Sequence, residues 1–226
     1  MNKEFTPEDY VLRATDFYYK GELGMAIESL DLAIEMKPDF AEAWYNKGLT
    51  YSVLGWVDDE ISSYNRALEI NPDYAEAWNG KSSAHGRTGQ YKEALECAEK
   101  ALGLQPHIAA AWCNKGAALS GLGRELEAIA AYDKAIEIQP GYLEAWFNKA
   151  VSLHNLDKLK SALKVYNKTL ELKPDFPEAL YNRAGLYTTI GESDKAAADL
   201  GKAIEIDPSL RHKAMADESL KPLLSR

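Results

Sequence analysis

The chain has 226 residues, of which 46% are hydrophobic and 27% charged, a balance that excludes a disordered chain and predicts a globular protein. The formal net charge of −9 argues against nucleic acid as the main partner, since phosphate binding needs clustered Lys and Arg, and it favours basic or neutral partners. Two cysteines, Cys97 and Cys113, are too few for a disulfide framework and predict reduced thiols in the cytosol.

The N-terminal sequence indicates a helix start rather than a targeting segment. The stretch MNKEFTPEDYVLR lacks the apolar core of a signal peptide, and the chain has no run of 18 apolar residues. We therefore expect a cytoplasmic protein that does not bind a membrane. Thr6 is predicted to be the N-cap of the first helix and Pro7 its first residue, after an N-terminal extension over residues 1–6.

A period of 34 residues runs through the chain. Four tryptophans follow it, at Trp44, Trp78, Trp112 and Trp146. Six prolines follow it as well, at Pro38, Pro72, Pro106, Pro140, Pro174 and Pro208. If Ala41 is position 1 of the repeat, position 8 is always small, at Ala14, Gly48, Ser82, Gly116, Ala150 and Ala184. A period shared by residues with different roles predicts tandem structural repeats.

Each repeat reads as two helices. In the second repeat, Trp44, Gly48 and Tyr51 lie at i, i+4 and i+7, the spacing of one helical face, and Ile61 and Leu68 mark the face of a following helix. Between the helices most repeats have a glycine, which supplies the left-handed conformation that ends a helix. These glycines are Gly21, Gly55, Gly89, Gly123 and Gly191. Each repeat is therefore predicted to be helix A, turn, helix B, turn.

The pattern resembles the tetratricopeptide repeat (TPR) family. The second repeat carries the family's motif as Trp44, Gly48, Tyr51, Ala67 and Pro72. The resemblance implies an all-α, right-handed superhelical solenoid of antiparallel helix pairs. Six repeats are expected to form one array, at 7–40, 41–74, 75–108, 109–142, 143–176 and 177–210. A polar capping helix over 211–221 and a tail to residue 226 are expected to follow.

Several residues depart from the family pattern. Position 7 is basic in every repeat, at Arg13, Lys47, Lys81, Lys115, Lys149 and Arg183. Glu60 replaces a small residue at position 20 of the second repeat; it either reaches solvent or is buried, and burial without a partner would raise the pKa of its carboxyl. Trp56, in the turn of the same repeat, is expected to pack over Leu23 of the first repeat rather than to form an exposed contact.

No catalytic or cofactor motif is recognisable. The four histidines, His85, His107, His154 and His212, have no second His or Cys at ligand spacing. The glycines are dispersed and do not form a phosphate-binding loop, and the carboxylates of residues 57–60 have no neighbouring base. We therefore predict that the chain is not an enzyme and that it binds neither a metal nor a cofactor.

The resemblance implies that positions 2, 5, 6, 9, 12 and 13 of helix A line a concave groove. Position 6 is asparagine at Asn46, Asn114, Asn148 and Asn182, while Leu12 and Gly80 interrupt the row. The row resembles the asparagine ladders of peptide-binding TPR proteins, because a carboxamide offers a donor and an acceptor to any peptide backbone. The alternative is that these amides bond locally or to water.

Other groove positions favour an extended ligand with two apolar anchors. One aromatic group is expected at Tyr18, Tyr19 and Tyr45 and a second, with a histidine, at Phe147, His154 and Tyr181. Between them the groove is small and polar, with Asn79 and the single charge of Arg87. The alternative is that the aromatic rings cover their own helices. Glutamates recur at position 2, where complementing the helix dipole is favoured over an acidic rail for ligands.

The sequence therefore predicts a non-catalytic protein-interaction scaffold that holds an extended peptide or partner segment in the groove. Position 5 is never basic and position 2 is mostly Glu, so the carboxylate clamp of chaperone-tail-binding TPR domains is missing and an acidic C-terminal tail is not expected to be the ligand. Two alternatives stay open. One is a structural protein that self-associates weakly through the array ends, and the other is an accessory subunit of an enzyme complex.

Overall fold

The computed structural model describes residues 5–225, so residues 1–4 of the predicted N-terminal extension and residue 226 of the tail lie outside it. Within these residues the chain forms thirteen α-helices, a 3-10 helix over Lys221–Ser225 and no strand. The α-helices are α1 Pro7–Tyr19, α2 Leu23–Met36, α3 Ala41–Leu54, α4 Val57–Ile70, α5 Ala75–Arg87, α6 Tyr91–Leu104, α7 Ala109–Gly121, α8 Glu125–Ile138, α9 Leu143–Asn155, α10 Leu159–Leu172, α11 Pro177–Thr189, α12 Ser193–Ile206 and α13 Leu210–Ala216. None of the helices described is long and apolar enough to cross a membrane.

The helices form two compact units, one up to Leu122 and one from Gly123 onward. In the first unit α1–α2, α3–α4 and α5–α6 pack as pairs, and each second helix also packs on the next first helix, ending with α7 on α6. In the second unit α9–α10 and α11–α12 form pairs, with α8 packed on α9. The predicted all-α class and the tandem helix pairs are confirmed, while one array through all six repeats stays a prediction.

A single contact explains why tryptophan and proline share the period. The indole Nε1 of Trp44 donates a hydrogen bond to the carbonyl oxygen of Pro38, six residues earlier, at 3.2 Å. The same bond recurs from Trp78 to Pro72 at 2.8 Å, from Trp112 to Pro106 at 2.9 Å and from Trp146 to Pro140 at 2.8 Å. It fixes the loop between two repeats against the first turn of the following helix A.

The basic residues at position 7 join neighbouring repeats. The ammonium of Lys47 lies 2.6 Å from the Asp31 carboxylate and 5.4 Å from the ring centroid of Trp44. Asp31 occupies position 25, on helix B of the preceding repeat. Equivalent ion pairs join Lys115 to Glu99 in the first unit and Lys149 to Asp133 in the second. This departure from the family pattern is therefore a contact between repeats.

Small residues at positions 6 and 8 make room for a buried tyrosine. Tyr64 is only 1% exposed, and its ring lies between Gly48 and Gly80. A Cβ at Gly48 would lie 2.5 Å from Tyr64 Cε1, and one at Gly80 would lie 2.6 Å from Cζ. Both distances are far inside van der Waals contact. Gly80 therefore interrupts the asparagine row because the Tyr64 ring occupies the space that a side chain would need.

The predicted left-handed turns are present, and one uses a different residue. Gly21, Gly55, Gly89, Gly123 and Gly191 have φ between 74° and 82°. In the fifth repeat the same position is Asp157, with φ of 55°. Aspartate is among the few non-glycine residues that adopt this conformation readily, so the turn is kept without glycine.

At the two ends of the chain the structure agrees only in part with the sequence-based predictions. Thr6 caps α1 as predicted: its Oγ1 accepts the N–H of Asp9 at 3.1 Å, and its own N–H donates to the Asp9 carboxylate at 3.0 Å. The capping helix predicted over 211–221 is wrong in extent. α13 ends before Asp217, whose carboxylate accepts the N–H of Ser219 at 2.9 Å and turns the chain into the 3-10 helix.

Candidate functional site

A pocket opens between the first two helix pairs of the first unit. It has a volume of about 350 Å³, including space open to solvent. Its lining, which we call the N-terminal pocket, consists of Ala14, Thr15, Tyr18, Tyr19, Leu30, Asn46, Leu49 and Thr50. Three of these residues, Tyr18, Tyr19 and Asn46, were predicted from their repeat positions to face a groove. None of the lining residues is charged, so the pocket suits an apolar group.

The polar groups of the N-terminal pocket differ in availability. The hydroxyl of Thr15 donates to the Val11 carbonyl at 3.0 Å, and that of Thr50 donates to the Asn46 carbonyl at 2.8 Å. The side-chain carboxamide of Asn46 has no hydrogen-bond partner among residues 5–225. Tyr19 is 82% exposed, so its hydroxyl is open to solvent. The pocket therefore combines apolar walls with a free amide donor and acceptor.

Tyr45 lies deeper than the sequence suggested. It was expected beside Tyr18 and Tyr19, but its ring packs against Tyr74, with centroids 4.9 Å apart, and against Tyr64 at 6.0 Å. Burial raises the pKa of its phenol, with a smaller contribution from nearby negative charge. Tyr45 is thus part of an aromatic cluster and does not line the N-terminal pocket.

A second pocket of the first unit contains the predicted charge. Its lining, which we call the arginine pocket, is Ser82, Ser83, Gly86, Arg87, Tyr91, Asn114 and Ala117, around a volume of about 490 Å³. The Arg87 guanidinium pairs with the carboxylate of Glu60 on α4. The Asn114 amide donates to Asn79 Oδ1 at 2.9 Å, so two predicted groove residues bond to each other. The arginine pocket therefore has its charge and its amide already engaged.

Glu60 is buried and has a partner, which settles the alternatives left by the sequence. Its side chain is 1% exposed, and Arg87 reaches it from the following helix pair. Burial raises the pKa of the Glu60 carboxyl, because desolvation outweighs the opposing effect of the guanidinium. Arg87 is therefore first of all the counter-ion of a buried carboxylate.

In the second unit the predicted aromatic group is mostly packed. The ring of Phe147 lies 5.0 Å from that of Phe176, centroid to centroid. Tyr181 is only 5% exposed, and the Lys213 ammonium lies 4.6 Å from its ring centroid. Tyr181 therefore lacks the exposure expected of a ligand anchor, because the C-terminal cap packs beside it.

The remaining predicted groove residues of the second unit are half-buried. Asn148 and His154 lie on α9, and Asn182 lies on α11. Burial raises the pKa of the Tyr166 phenol, and the neighbouring Asn182 side chain opposes that rise, although the buried Tyr166 hydroxyl has no hydrogen-bond partner among the residues described. A role of these three residues in ligand binding stays a prediction.

Trp56 does not pack as the sequence suggested. Its ring stacks on Tyr51 of its own repeat, with centroids 5.8 Å apart and an interplanar angle of 26°. It is 54% exposed, so the interpretation of a residue buried over the first repeat is wrong. Trp56 therefore stacks on Tyr51 and is still more than half exposed.

Two glutamates at position 2 have partners within the chain. Glu8 lies 3.6 Å from the Lys37 ammonium, and Glu76 accepts a hydrogen bond from the Gln105 side chain at 3.2 Å. Both partners stand at the end of helix B of the same repeat. These contacts support the structural interpretation over an acidic rail.

The two cysteines are buried in the first unit, and His, Cys and acidic side chains are the groups that could hold a metal ion. Cys97 and Cys113 are free and buried, and burial raises the pKa of the Cys97 thiol to about 11. Across residues 5–225, no group of three or more His, Cys, Asp or Glu side chains is arranged to hold a metal ion.

These features define an all-α repeat protein of the interaction-scaffold class. Family models for the tetratricopeptide repeat match residues 79–142, residues 41–74 and 177–210, and residues 131–164, and a TPR repeat model matches residues 15–55. Together these matches span most of the chain. The chain belongs to the tetratricopeptide repeat family, as the 34-residue period predicted.

Solved structures share the fold of this chain. YrrB, described as a TPR protein with an unusual peptide-binding site, is 27% identical with a TM-score of 0.61 over 83% of this chain and 98% of its own. PilF of Pseudomonas aeruginosa is 15% identical with a TM-score of 0.78 over 97% of this chain and 96% of its own. In the Cut9–Hcn1 hetero-tetramer of the APC/C, a chain 16% identical has a TM-score of 0.84 over 98% of this chain and 42% of its own. No curated protein sequence matches the chain.

Proposed function

We propose that the chain binds an extended peptide segment, seating one apolar side chain in the N-terminal pocket and bonding the peptide backbone to Asn46. The observation that carries this proposal is an uncharged pocket with an unpartnered carboxamide in its wall. The similarity to YrrB, a TPR protein with a peptide-binding site, supports a peptide as the ligand. Extended peptides fit such a site because their backbone amides can pair with a single fixed carboxamide.

The expected energies require several contacts. Burying one apolar side chain contributes about 1.5–3 kcal/mol, and one net hydrogen bond contributes about 0.5–1.5 kcal/mol. A micromolar complex needs about 8 kcal/mol, so further contacts must follow the segment beyond the pocket. The exposed ring of Tyr19 is the adjacent surface suited to such a contact.

An acidic C-terminal tail is a poor fit to this site. The N-terminal pocket has no basic side chain. Arg87, the single groove charge that the sequence predicted, is already paired with the buried Glu60 carboxylate. A carboxylate ligand would have to compete with that ion pair, so we expect neutral or basic apolar segments to bind better.

A displayed library of random 12-residue peptides, selected on the full chain, tests the proposal. We expect enriched peptides to share a large apolar residue and to lose at least five-fold in affinity with the Tyr19→Ala chain. Trp56→Ala is the matched control, because Trp56 is also exposed and aromatic but lies outside the pocket. The proposal fails if no peptide is enriched or if both variants weaken binding equally.

A further inference from the structure

The first repeat lacks a buried aromatic ring that three other repeats carry on helix B. Position 24 is tyrosine at Tyr64, Tyr132 and Tyr166, and each of these side chains is at most 2% exposed. In the first repeat the same position is Leu30, which lines the N-terminal pocket. Leucine ends at its two Cδ atoms, whereas the ring of tyrosine extends further from the backbone. Leu30 therefore leaves unfilled the space that a ring at position 24 would take.

The fifth repeat shows where such a ring lies. Tyr166 shares a buried cluster with Ala150, at position 8 of its own repeat, and with Leu186, at position 10 of the next repeat. The side chain of Asn182, at position 6 of the next repeat, neighbours its phenol. The ring is thus enclosed between the first helices of two consecutive repeats.

The N-terminal pocket is bounded by the same repeat positions. Its lining includes Ala14 at position 8 of the first repeat, and Asn46 and Thr50 at positions 6 and 10 of the second. The alanine and the asparagine have the same identity as their counterparts in the fifth repeat. The walls that enclose a ring in the fifth repeat are therefore present around the N-terminal pocket, while position 24 supplies only the shorter Leu30.

The other two repeats without tyrosine at position 24 supply a different side chain from the chain itself. In the third repeat, where the position is Ala98, Tyr91 lines the arginine pocket and its ring leaves no room for a Cβ at Gly121. In the sixth repeat, Leu200 shares a buried cluster with Leu220, which follows α13. The first repeat differs from both, because its position 24 borders an open pocket.

We infer that the side chain seated in the N-terminal pocket is an aromatic ring of the bound peptide, from Phe or Tyr, in the place of the ring that Leu30 does not supply. This inference rests on the proposed function and specifies the residue that the peptide contributes. A shorter aliphatic side chain would leave part of the pocket without contacts. The Asn46 carboxamide, with two donors and an acceptor, can bond a tyrosine hydroxyl as well as a backbone group.

A displayed library with one controlled position tests the preference for a ring. Each 12-residue peptide carries Phe, Tyr, Leu or Ile at one central position in equal starting amounts, and its other positions are restricted to polar residues, Gly, Ala and Pro. After selection on the full chain, we expect peptides with a central ring to outnumber the aliphatic ones by at least about ten-fold, because aromatic residues dominate the energy of packed binding pockets. Equal recovery of the two kinds would overturn the inference.

Leu30→Tyr supplies the ring from within the chain. The affinity for an enriched peptide, measured by fluorescence anisotropy, should then fall at least about ten-fold, because the pocket is filled. Leu30→Met is the matched control, since it keeps an aliphatic side chain of similar volume and should change the dissociation constant by less than about two-fold. Unchanged binding to the Leu30→Tyr chain would overturn the inference. Replacing the central ring of the peptide with Leu should cause a loss of at least about five-fold on the unaltered chain, whether or not Leu30→Tyr folds.

Failure of this inference can be told apart from failure of the proposed function. Enriched peptides with a central Leu or Ile that lose affinity with the Tyr19→Ala chain would overturn the preference for a ring and leave the proposed function standing. If neither this library nor the fully random one yields an enriched peptide, both are overturned.

Discussion

Asn46 and Asn114 occupy the same repeat position in the N-terminal pocket and in the arginine pocket, yet of these two carboxamides only that of Asn46 is free. Asn114 donates to Asn79, which stands at position 5 of the preceding repeat. The residue at position 5 before Asn46 is Val11, whose side chain cannot form a hydrogen bond. Whether an asparagine at position 6 is available to a ligand therefore depends on the residue at position 5 of the preceding repeat.

The two pockets also differ at position 13 of the helix that precedes their asparagine. This residue is the exposed Tyr19 in the N-terminal pocket and Arg87 in the arginine pocket. Arg87 is committed to the buried Glu60, whereas Tyr19 is 82% exposed. The arginine pocket is therefore mainly a structural contact, whereas the N-terminal pocket has a free carboxamide and an exposed phenol.

Among the variants that test this difference between the pockets, Arg87→Ala should have the largest effect on the free energy of unfolding. It leaves the Glu60 carboxylate buried without its counter-ion, and we expect the free energy of unfolding at pH 7 to fall by about 3 kcal/mol. Chemical denaturation measures this change. Glu60→Leu combined with Arg87→Ala should recover part of the loss, because no buried charge remains. A loss below about 0.5 kcal/mol for the single variant would contradict a structural role for the pair.

The destabilisation caused by Arg87→Ala should depend on pH. Burial raises the pKa of Glu60 in the folded chain, so the native state holds its proton more tightly than the unfolded state does. The penalty for ionising Glu60 therefore appears as pH rises through the folded pKa and is absent below the unfolded pKa. The destabilisation by Arg87→Ala should be smaller at pH 4 than at pH 7, and an equal loss at both values would contradict this assignment.

Gly80→Asn tests why the asparagine row is interrupted between the two pockets. A Cβ at this position would lie 2.6 Å from Tyr64 Cζ, and Tyr64 is 1% exposed and cannot move into solvent. We expect the free energy of unfolding to fall by about 2 kcal/mol from overpacking. Gly103→Asn is the control, because nothing lies within 4 Å of a Cβ there. Equal stability of the two variants would contradict the steric explanation.

Asn79→Ala should give a smaller change in stability. It should leave the Asn114 carboxamide without a partner, as the Asn46 carboxamide is now. It removes the acceptor of the Asn114 amide, and we expect a loss of about 1 kcal/mol in the free energy of unfolding. The side-chain NH₂ resonances of Asn114 should then exchange faster with solvent. Unchanged exchange would show that the Asn79–Asn114 bond does not hold the amide in solution.

The fold could be predicted from the sequence because its main determinants recur. Trp44 and Pro38 form a contact that the chain repeats at 34-residue intervals, and Gly48 is small because the Tyr64 ring occupies the adjacent space. Such features depend on spacing and residue size, which the sequence displays directly. The aspartate that replaces a turn glycine, Asp157, was missed because only its backbone conformation reveals the turn.

The candidate site could be predicted only in part. Three of the predicted groove residues, Tyr18, Tyr19 and Asn46, line one pocket, and their role in binding stays a prediction. Repeat positions could not show that Tyr181 is buried or that Asn79 engages Asn114, since both depend on which side chain of a neighbouring element reaches the position. Whether a side chain is free to contact a ligand depends on how its neighbours pack, and the repeat position of that residue alone does not reveal this.

The most direct test of the account compares Asn46→Ala with Asn114→Ala in binding to a library-selected peptide. Titration calorimetry with the full chain gives the dissociation constant for each variant. We expect the dissociation constant to increase about three- to ten-fold for Asn46→Ala, from the loss of one net hydrogen bond, and by less than about two-fold for Asn114→Ala. An unchanged constant for Asn46→Ala, or an equal or larger increase for Asn114→Ala, would contradict the account.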